Sequence, residues 1–489
     1  MAAMSYIGID LGTSSVKAVL VDDRQRLLAS AAAELSLQRP QPLWSEQAPA
    51  DWVSATLAAL GRLRDADLPA FRACRGIGLS GQMHGAVLLD DADQPLRPCI
   101  LWNDGRSAAE CAELEAAEPA SRAITGNIAM PGFTAPKLAW VRRHEPEIFR
   151  RTRKVLLPKA YLRLVLTGET IEEMSDASGT LWLDVGARDW SDRMLAATEL
   201  DRSQMPALVE GSQPAGRMRA ELSRELGFDA PPLFAGGAGD NAAGAIGLGA
   251  IKPGDCFLSL GTSGVLWRTT ERFEARAERA VHAFCHALPD RWHQMSVHLS
   301  AAASLRWWAG IVGCDEAALL APLGSRASRP VSTLFTPYLS GERTPHNDPQ
   351  MLGSFTRLAH ETDREAMTQA VMEGVAFAFR DGKLALEGAG AAIDRALVIG
   401  GGSRSDLWLS ILANVLGIPL ERHADGDHGA AFGAARLARL ACTGEPVRDI
   451  CGKPAGEARR FDPDPEYVSA YDRHYLIWQQ AARDSQGLR

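Results

Sequence analysis

The sequence predicts an α/β protein made of two similar domains that face each other across a deep cleft. The first observation is a repeat, because Leu-Gly-Thr-Ser-Ser-Val at 11–16 returns as Leu-Gly-Thr-Ser-Gly-Val at 260–265. The second is the length of 489 residues, more than one hydrophobic core usually supports. The third is that short apolar runs are followed by helical patterns in both halves, which is typical of α/β domains.

Each copy of the repeat lies between two β-like runs, at 6–10 and 16–21 in the first half and at 256–259 and 264–267 in the second. Glycine allows a tight turn, while hydroxyls and successive backbone N–H groups suit an anionic phosphate. A single copy would favour a simple hairpin turn. Two copies half a chain apart favour a duplicated domain, with the two loops holding a nucleotide tail between them.

The strands and helices of the first half follow in a simple order. Apolar runs at 6–10, 16–22 and 27–33, separated by short polar turns, predict a three-stranded meander. Pro49 then stands where a helix should begin, and Pro136 could mark the start of another. The apolar run 76–80 predicts a buried strand that ends at a glycine-flanked loop.

The loop 81–85 and the turn 102–106 carry candidate sugar-binding residues. Met83 and His84 stand between glycines, and Trp102 begins a Trp-Asn-Asp-Gly-Arg turn. A structural histidine is the alternative for His84, and part of the turn is backbone geometry. A tryptophan face beside polar groups nevertheless suits a sugar, which offers C–H surface as well as hydroxyls.

Asp240 is the candidate for chemistry. It follows the glycine-rich turn 236–239 and opens the small-residue segment 242–250. An N-cap role and a catalytic role fit this position equally well, because Asp caps helices and a carboxylate can also accept a proton from a hydroxyl.

The second half repeats the pattern, with a meander at 256–267, helices at 301–310 and 364–387, and a strand at 396–399. The strand ends at three glycines, 400–402, followed by a helical pattern, an arrangement that suits the polar atoms of a nucleotide. The small-residue segments 242–250 and 429–435 are too rich in glycine for helix propensity alone, so we expect them to pack together where the halves meet.

These features place the domain boundary near Gly247. Residues 1–246 form the predicted N-terminal, sugar-binding domain, and residues 247–489 the C-terminal, nucleotide-binding domain. A last helical pattern, 465–483, is expected to dock and to pack back on the first domain.

Composition narrows the classes of partner. With 46% hydrophobic and 23% charged residues and a net charge of −8 without a basic block, neither nucleic acid nor a membrane surface is an expected partner. Without a signal-peptide pattern or a long uncharged apolar run, we expect a cytoplasmic location.

The eight cysteines show no C-x-x-C spacing and are expected to be reduced, mainly core residues. Both a monomer and a homodimer remain open.

Several stretches resemble the FGGY family of carbohydrate kinases, which includes glycerol kinase and gluconokinase. They lie at 9–14, 42–47, 81–85, 101–106, 239–244, 338–346 and 400–402. The resemblance runs from about residue 5 to beyond 440 and implies a ribonuclease H-like, or actin-like ATPase, fold in each domain. The Met83-His84 pair and the Trp102-Asn103 turn resemble the xylulose branch of the family.

That resemblance implies transfer of the γ-phosphate of ATP, with Mg²⁺, to the terminal C5 hydroxyl of D-xylulose. It makes Asp240 the general base and Asp10 its catalytic partner, and the two would hold Mg²⁺ directly or through water. It places Met83, His84, Trp102 and Asn241 around the sugar. The residues implied at ATP are Gly12, Thr13, Ser14, Lys17, Gly261, Thr262, Ser263, Gly400, Gly401 and Ser405.

Two positions depart from the family pattern. Ala238 stands where a further glycine is usual, and we expect it to tighten the catalytic turn. His428-Gly429 replaces the usual Gly-Pro, and we expect it to alter the adenine edge.

Two alternative functions stay open. One is a kinase for another ketose or polyol, and the other is a catalytically silent sugar sensor. The retained Asp10 and Asp240 argue against the sensor.

Overall fold

The computed structural model describes residues 4–325, 329–388, 392–423, 429–452 and 458–486. His428, one of the two departures from the family pattern, lies outside these ranges. Within them, no helix combines the length and the apolar character needed to cross a membrane.

The first half contains one large mixed sheet with helices and small β-pairs around it. Its strands are β1 Ser5–Leu11, β2 Ser15–Asp22, β3 Leu27–Glu34, β4 Glu46–Gln47, β5 Cys74–Gly81, β6 Val87–Leu89, β7 Cys99–Ile100, β8 Lys154–Leu156, β9 Ile171–Glu173, β10 Leu183–Asp184, β11 Asp189–Trp190, β12 Ala207–Val209, β13 Pro214–Arg217, β14 Leu233–Ala235 and β15 Ala238–Gly239. Its helices are α1 Pro49–Ala66, α2 Leu68–Arg72, α3 Ala108–Ala117, α4 Ser121–Thr125, α5 Thr134–His144, α6 Pro146–Arg151, α7 Pro158–Thr167, α8 Met174–Ala177, α9 Asp192–Ala196, α10 Ala220–Leu226 and α11 Asp240–Leu248.

The second half is likewise built from one large sheet with helices around it. Its strands are β16 Cys256–Leu260, β17 Gly264–Thr270, β18 His282–Cys285, β19 Trp292–His298, β20 Leu334–Thr336, β21 Ser354–Thr356, β22 Ala396–Ile399, β23 Leu420–His423 and β24 Ala458–Phe461. Its helices are α12 Ala302–Val312, α13 Glu316–Leu320, α14 Arg364–Glu387, α15 Asp406–Leu416, α16 Gly429–Thr443, α17 Val447–Cys451 and α18 Pro465–Gln486.

The two large sheets share an arrangement of six strands, to which the first sheet adds β15 beside β5 and the second adds β18 beside β19. The first has the order β13-β14-β5-β1-β2-β3, and the second β18-β19-β17-β16-β22-β23-β24. In each, three antiparallel strands (β1, β2, β3; β16, β17, β19) are followed by two parallel additions (β5, β14; β22, β23). The predicted meanders and the predicted duplication are therefore confirmed, and helices and sheets together give the α/β class.

Strand pairing sets the neighbours of Asp10 in the first sheet and of the glycine loop in the second. The parallel pairing of β1 with β5 sets Asp10 beside Ser80, and the antiparallel pairing with β2 sets it beside Lys17. In the second sheet the glycine loop after β22 packs against the loop after β16. Gly400 has φ +93°, and a Cβ on it would overlap the main chain of Leu260. Only glycine permits this conformation and this close approach.

The two small-residue helices α11 and α16 cross where the halves meet, as predicted. A Cβ on Gly433 of α16 would overlap the Ala243 carbonyl of α11. Helix α16 also packs on β1, β5 and β14 of the first sheet. A Cβ on Gly8 of β1 would overlap the Ala431 carbonyl. A helix from the second half of the chain thus completes the core of the first sheet.

The C-terminal helix α18 docks on the second half, so the expectation that it packs back on the first domain is wrong. The Tyr471 hydroxyl donates to Glu373 Oε1 at 3.0 Å, and Trp478 Nε1 donates to the Phe335 carbonyl at 2.7 Å. Tyr475 donates to Asp381 in the same way. These partners lie on α14 and β20, because the aromatic face of α18 matches polar groups buried there rather than in the first sheet.

Two smaller expectations are also resolved. Helix α5 begins at Thr134, so Pro136 occupies its first turn without marking its start. All eight cysteines are free, and six of them are buried, as expected for core residues.

Candidate active site

A cavity of about 230 Å³ lies between the two halves, and most of the residues predicted to bind the sugar or to take part in catalysis line it. The first half contributes Met83, His84, Trp102, Met130, Gly132, Phe133, Asp240 and Asn241, and the second half Ser259, Ser263, Val265, His282, Phe284, Met295, Val297 and Arg343. The four residues predicted at the sugar therefore share one cavity with the candidate base. Ser263, from the second repeated loop, reaches the same space.

Asp240 is the first residue of α11, and Gly239 occupies the capping position. Asp240 Oδ1 accepts hydrogen bonds from the backbone N and from Nδ2 of Asn241, at 2.7 and 2.9 Å. The N-cap alternative for Asp240 is therefore wrong. Among the described residues its second carboxylate oxygen has no hydrogen-bond partner, so it can take one in the cavity.

The surroundings of Asp240 raise the proton affinity of its carboxylate. Burial, and then the negative charge of Asp10, raise its pKa from 3.8 to about 6. Burial also raises the pKa of Asp10, while a hydrogen bond from Ser80 Oγ at 2.9 Å and the charge of Lys17 oppose that shift. Two neighbouring, half-buried carboxylates repel each other. Their oxygens are ligands of the kind that Mg²⁺ prefers.

The turn that carries Asp240 is supported by a buried polar network that sequence reasoning missed. The backbone N of Gly239 donates to Ser175 Oγ at 3.0 Å, and that hydroxyl donates to Glu173 Oε1 at 2.8 Å. The buried guanidinium of Arg163 donates to the carbonyls of residues 235 and 236, at 2.8 and 2.6 Å. No local pattern signals these residues, because Ser175 and Arg163 meet the turn across more than sixty positions of the chain.

Ala238, the departure in this turn, lies in β15 with its side chain fully buried. The left-handed residue of the turn is Gly237, with φ +79°, and a Cβ there would overlap the Leu79 carbonyl. The alanine methyl therefore occupies a strand position that tolerates a side chain.

His84 is held in a defined orientation and protonation state. Its backbone has φ +70°, a conformation that costs free energy and is common at functional sites. Its Nδ1 lies 2.6 Å from the Gly179 carbonyl, which only accepts, so Nδ1 carries the hydrogen. Burial lowers the pKa of His84 to about 3, so the ring is neutral. Its own carbonyl accepts from Thr134 Oγ1 at 3.1 Å and Lys137 Nζ at 2.8 Å.

Trp102 connects the sugar side to the first repeated loop. Its Nε1 donates to Thr13 Oγ1 at 2.9 Å, and Thr13 Oγ1 donates to Gln82 Oε1 at 3.1 Å. Gln47 Nε2 donates to the Thr13 carbonyl at 2.7 Å. Because the Thr13 hydroxyl uses its one hydrogen on Gln82, a phosphate oxygen at this loop would be met by backbone N–H groups rather than by that hydroxyl.

The remaining residues predicted at ATP lie in or after four strands: Gly12 and Ser14 follow β1, Lys17 lies in β2, Gly261 and Thr262 follow β16, and Gly400, Gly401 and Ser405 follow β22. In the first loop, Gly12 N donates to Ser15 O at 3.0 Å and closes the turn. In the second, the Gly261 and Thr262 carbonyls accept from the backbone N–H groups that begin α12, at 2.8 to 3.2 Å. Ser405 Oγ caps α15 and keeps its own hydrogen available. The loop placements are those of the prediction; the ATP contacts themselves stay predicted.

Two cavity residues from the second half, Arg343 and His282, were assigned no role from sequence. Arg343 lies in the stretch 338–346, whose resemblance to the family was the only signal available. Toward the described residues, its guanidinium makes no hydrogen bond and no ion pair. It brings a positive charge to the cavity, where burial lowers its pKa and the negative charge of Glu342 opposes that shift.

A second acidic cluster lies behind the site. Glu172, Glu173 and Asp176 place carboxylate oxygens close together, but the buried Lys159 lies among them and pairs with all three. The ammonium of Lys159 already occupies the position between these carboxylates. Asp10 and Asp240 are therefore the better candidates for a divalent cation.

The comparisons with known proteins cover both halves. The model of the N-terminal domain of the FGGY family of carbohydrate kinases matches residues 5–247, and that of its C-terminal domain matches residues 256–442. The chain is 51% identical to a xylulose kinase of Escherichia coli (strain K12) over 441 residues, 90% of each chain. It is 49% identical to a xylulose kinase of Klebsiella pneumoniae over 467 residues, 95% of this chain and 96% of the other. The crystal structure of a xyloylose kinase from Brucella ovis is 55% identical, with a TM-score of 0.96, covering 99% of this chain and 100% of the other.

The duplicated actin-like fold, the glycine loops on both halves and the carboxylate in the cleft define an ATP-dependent phosphotransferase acting on a sugar. The chain belongs to the FGGY family of carbohydrate kinases.

Proposed function

We propose that this carbohydrate kinase transfers the γ-phosphate of ATP to the terminal C5 hydroxyl of D-xylulose, yielding D-xylulose 5-phosphate and ADP. The observation that carries the proposal is that Asp240 shares one cavity with Met83, His84, Trp102 and Asn241. The similarity of the chain to xylulose kinases over 90% or more of its length supports this choice of sugar.

In this proposal the sugar binds between an aromatic face and fixed polar groups. Trp102 is 36% exposed and offers its ring to the C–H surface of the sugar. The Nε2 of neutral His84 is an acceptor for a hydroxyl. Because Nδ2 of Asn241 donates to Asp240, the Asn241 amide also fixes the orientation of the base.

Asp240 then acts as general base. With a pKa of about 6 it is mostly ionised at neutral pH, yet far more basic than an ordinary aspartate. As the C5 oxygen forms a bond to the γ-phosphorus, its proton moves to Asp240 and the bond to the ADP oxygen breaks. Phosphoryl transfer depends mainly on positioning and on charge stabilisation. The turn held by Arg163 and Ser175 supplies the positioning.

Asp10 and Asp240 fit a magnesium site, because their repulsion is relieved by a divalent cation and their oxygens are suitable ligands. When bound there, Mg²⁺ supplies neutralisation of phosphate charge. The backbone N–H groups of the loops 12–15 and 261–264 are placed at the ends of β1 and β16, where they would contact the phosphates of ATP from both halves.

The test is ADP release in a coupled assay with D-xylulose, D-ribulose, L-ribulose, glycerol and gluconate, and without sugar as the background. We expect D-xylulose to have by far the highest kcat/KM. A higher kcat/KM for another member of the panel would replace D-xylulose as the substrate. Absence of sugar-dependent ADP release with the whole panel would support the sensor alternative.

A further inference from the structure

Two histidines of the cavity come from opposite halves of the protein. His84 lies on the loop after β5, and His282 begins β18 of the second sheet. The His282 ring is 3% exposed and stacks on Phe284, with ring centroids 5.6 Å apart. Phe133 lies against it from the first half, at 5.7 Å. Its ring therefore has a fixed orientation at the junction of the two halves.

Asn127 determines which nitrogen of His282 carries a hydrogen. The Asn127 Nδ2 lies 2.7 Å from the Thr125 carbonyl and 3.1 Å from the Ala283 carbonyl. Carbonyl oxygens only accept, so the NH₂ group faces them and Oδ1 faces His282 Nδ1, at 2.8 Å. An amide oxygen also only accepts. Nδ1 of His282 is therefore the donor nitrogen of the ring.

The other nitrogen, Nε2, is left as an acceptor. Burial, and then the positive charge of Arg343, lower the pKa of His282 well below 6.5, so the ring is neutral and Nε2 carries a lone pair. Within the described part of the chain, Nε2 has no hydrogen-bond partner. Leaving a buried polar atom unpaired is costly, which favours a ligand that donates to it.

His84 has the same tautomer, because its Nδ1 donates to the Gly179 carbonyl. The cavity is thus lined by two neutral imidazoles, one from each half, whose hydrogens are both used on protein oxygens. We propose that His282 is a specificity-determining residue that accepts, through Nε2, a hydrogen bond from one hydroxyl of the bound sugar. This inference rests on the proposed function. It requires a hydroxyl, since a keto oxygen has no hydrogen to donate.

The test compares wild type with His282→Phe, which keeps a flat ring and removes the acceptor. D-xylulose binding is measured by calorimetry without nucleotide, and kcat and KM by ADP release. We expect binding to weaken roughly three- to tenfold, the usual range for one neutral hydrogen bond, with kcat and the KM for ATP nearly unchanged. His293→Phe is the matched control. It removes a buried imidazole that stacks on Trp267 at 3.6 Å and does not line the cavity.

Deoxy analogues separate a hydrogen bond from loosened packing. One of 1-deoxy-, 3-deoxy- or 4-deoxy-D-xylulose should bind wild type several-fold more weakly than D-xylulose, whereas His282→Phe should bind the two about equally. If His282→Phe does not fold, His282→Leu takes its place in the same comparison. The inference is overturned if each analogue loses the same factor in both proteins, or if His293→Phe weakens binding as much. Failure of wild type to bind D-xylulose would instead overturn the proposed function.

Discussion

Replacing Asp240 by Asn tests the centre of the site with a minimal change. The side chain keeps its size, and its Oδ1 can still accept from the backbone N and from Nδ2 of Asn241, which donate at 2.7 and 2.9 Å. The start of α11 is unaffected, because Gly239 and not Asp240 is its N-cap. The substitution therefore removes the negative charge and the ability to take up a proton, and little else.

The expected effect on turnover is large. General-base catalysis contributes typically about 10²- to 10⁴-fold, roughly 3 to 5 kcal/mol of activation free energy. We therefore expect kcat of Asp240→Asn to fall at least about a hundredfold, while calorimetry shows that D-xylulose still binds. A folded variant that keeps more than about a tenth of the wild-type kcat would refute the role of Asp240 as base.

The same substitution should stabilise the protein. The pKa of Asp240 rises from 3.8 to about 6 on folding, so the folded state binds more protons than the unfolded state between these values. Stability of the wild type therefore falls as the pH rises through this window, by about 3 kcal/mol in all from this one group. The Asn side chain of Asp240→Asn does not ionise, so this variant does not lose that stability. Its thermal midpoint should exceed that of wild type at pH 7 and approach it near pH 4.

Calorimetric melts of both proteins across pH 4 to 7 measure this difference directly, because the other titrating groups are common to both. Equal thermal midpoints at pH 7, or a lower one for Asp240→Asn, would refute the account of buried charge repulsion with Asp10, whatever the assay of turnover shows.

Three further predictions concern other parts of the molecule. Asp10→Asn should raise the Mg²⁺ concentration needed for half-maximal ADP release; an unchanged magnesium titration would remove Asp10 from the metal site. The two halves should approach each other when sugar and nucleotide bind, which small-angle scattering detects as a smaller radius of gyration, and an unchanged radius would contradict the clamp. Gly433→Ala should destabilise by about 1 to 3 kcal/mol in denaturant unfolding, because its Cβ overlaps the Ala243 carbonyl. The control Gly244→Ala, with open space around its Cβ, should be neutral or stabilising; equal effects would contradict close packing of the helices.

Local features of the structure were predictable from sequence. The helix predicted at 364–387 matches α14 Arg364–Glu387, and the strand predicted at 396–399 matches β22 Ala396–Ile399. Helical spacing, apolar runs and glycine turns depend on residues close together in the chain, so the sequence displays them directly. The duplication was visible for the same reason, because two copies of one loop need only be compared with each other.

The composition of the candidate site was predictable only in part. Met83, His84, Trp102, Asn241 and Asp240 stand in unusual local settings, and they do share one cavity. The choice between cap and base for Asp240 was not predictable, because the spacing leaves both open. The observed start of α11 excludes the cap, since Gly239 holds that position, while the role of general base stays a prediction.

What the sequence by itself determined is thus the α/β class, the two-fold repetition, the position of the glycine loops and several of the residue types that line the cavity. Only the tertiary structure decided which residues support and complete the site. Ser175 meets Gly239 across 64 positions of the chain, and Asn127 sets the tautomer of His282 across 155. It also decided that α18 docks on the second half. Such contacts depend on how sheets and helices pack, and no local periodicity encodes a partner that far away.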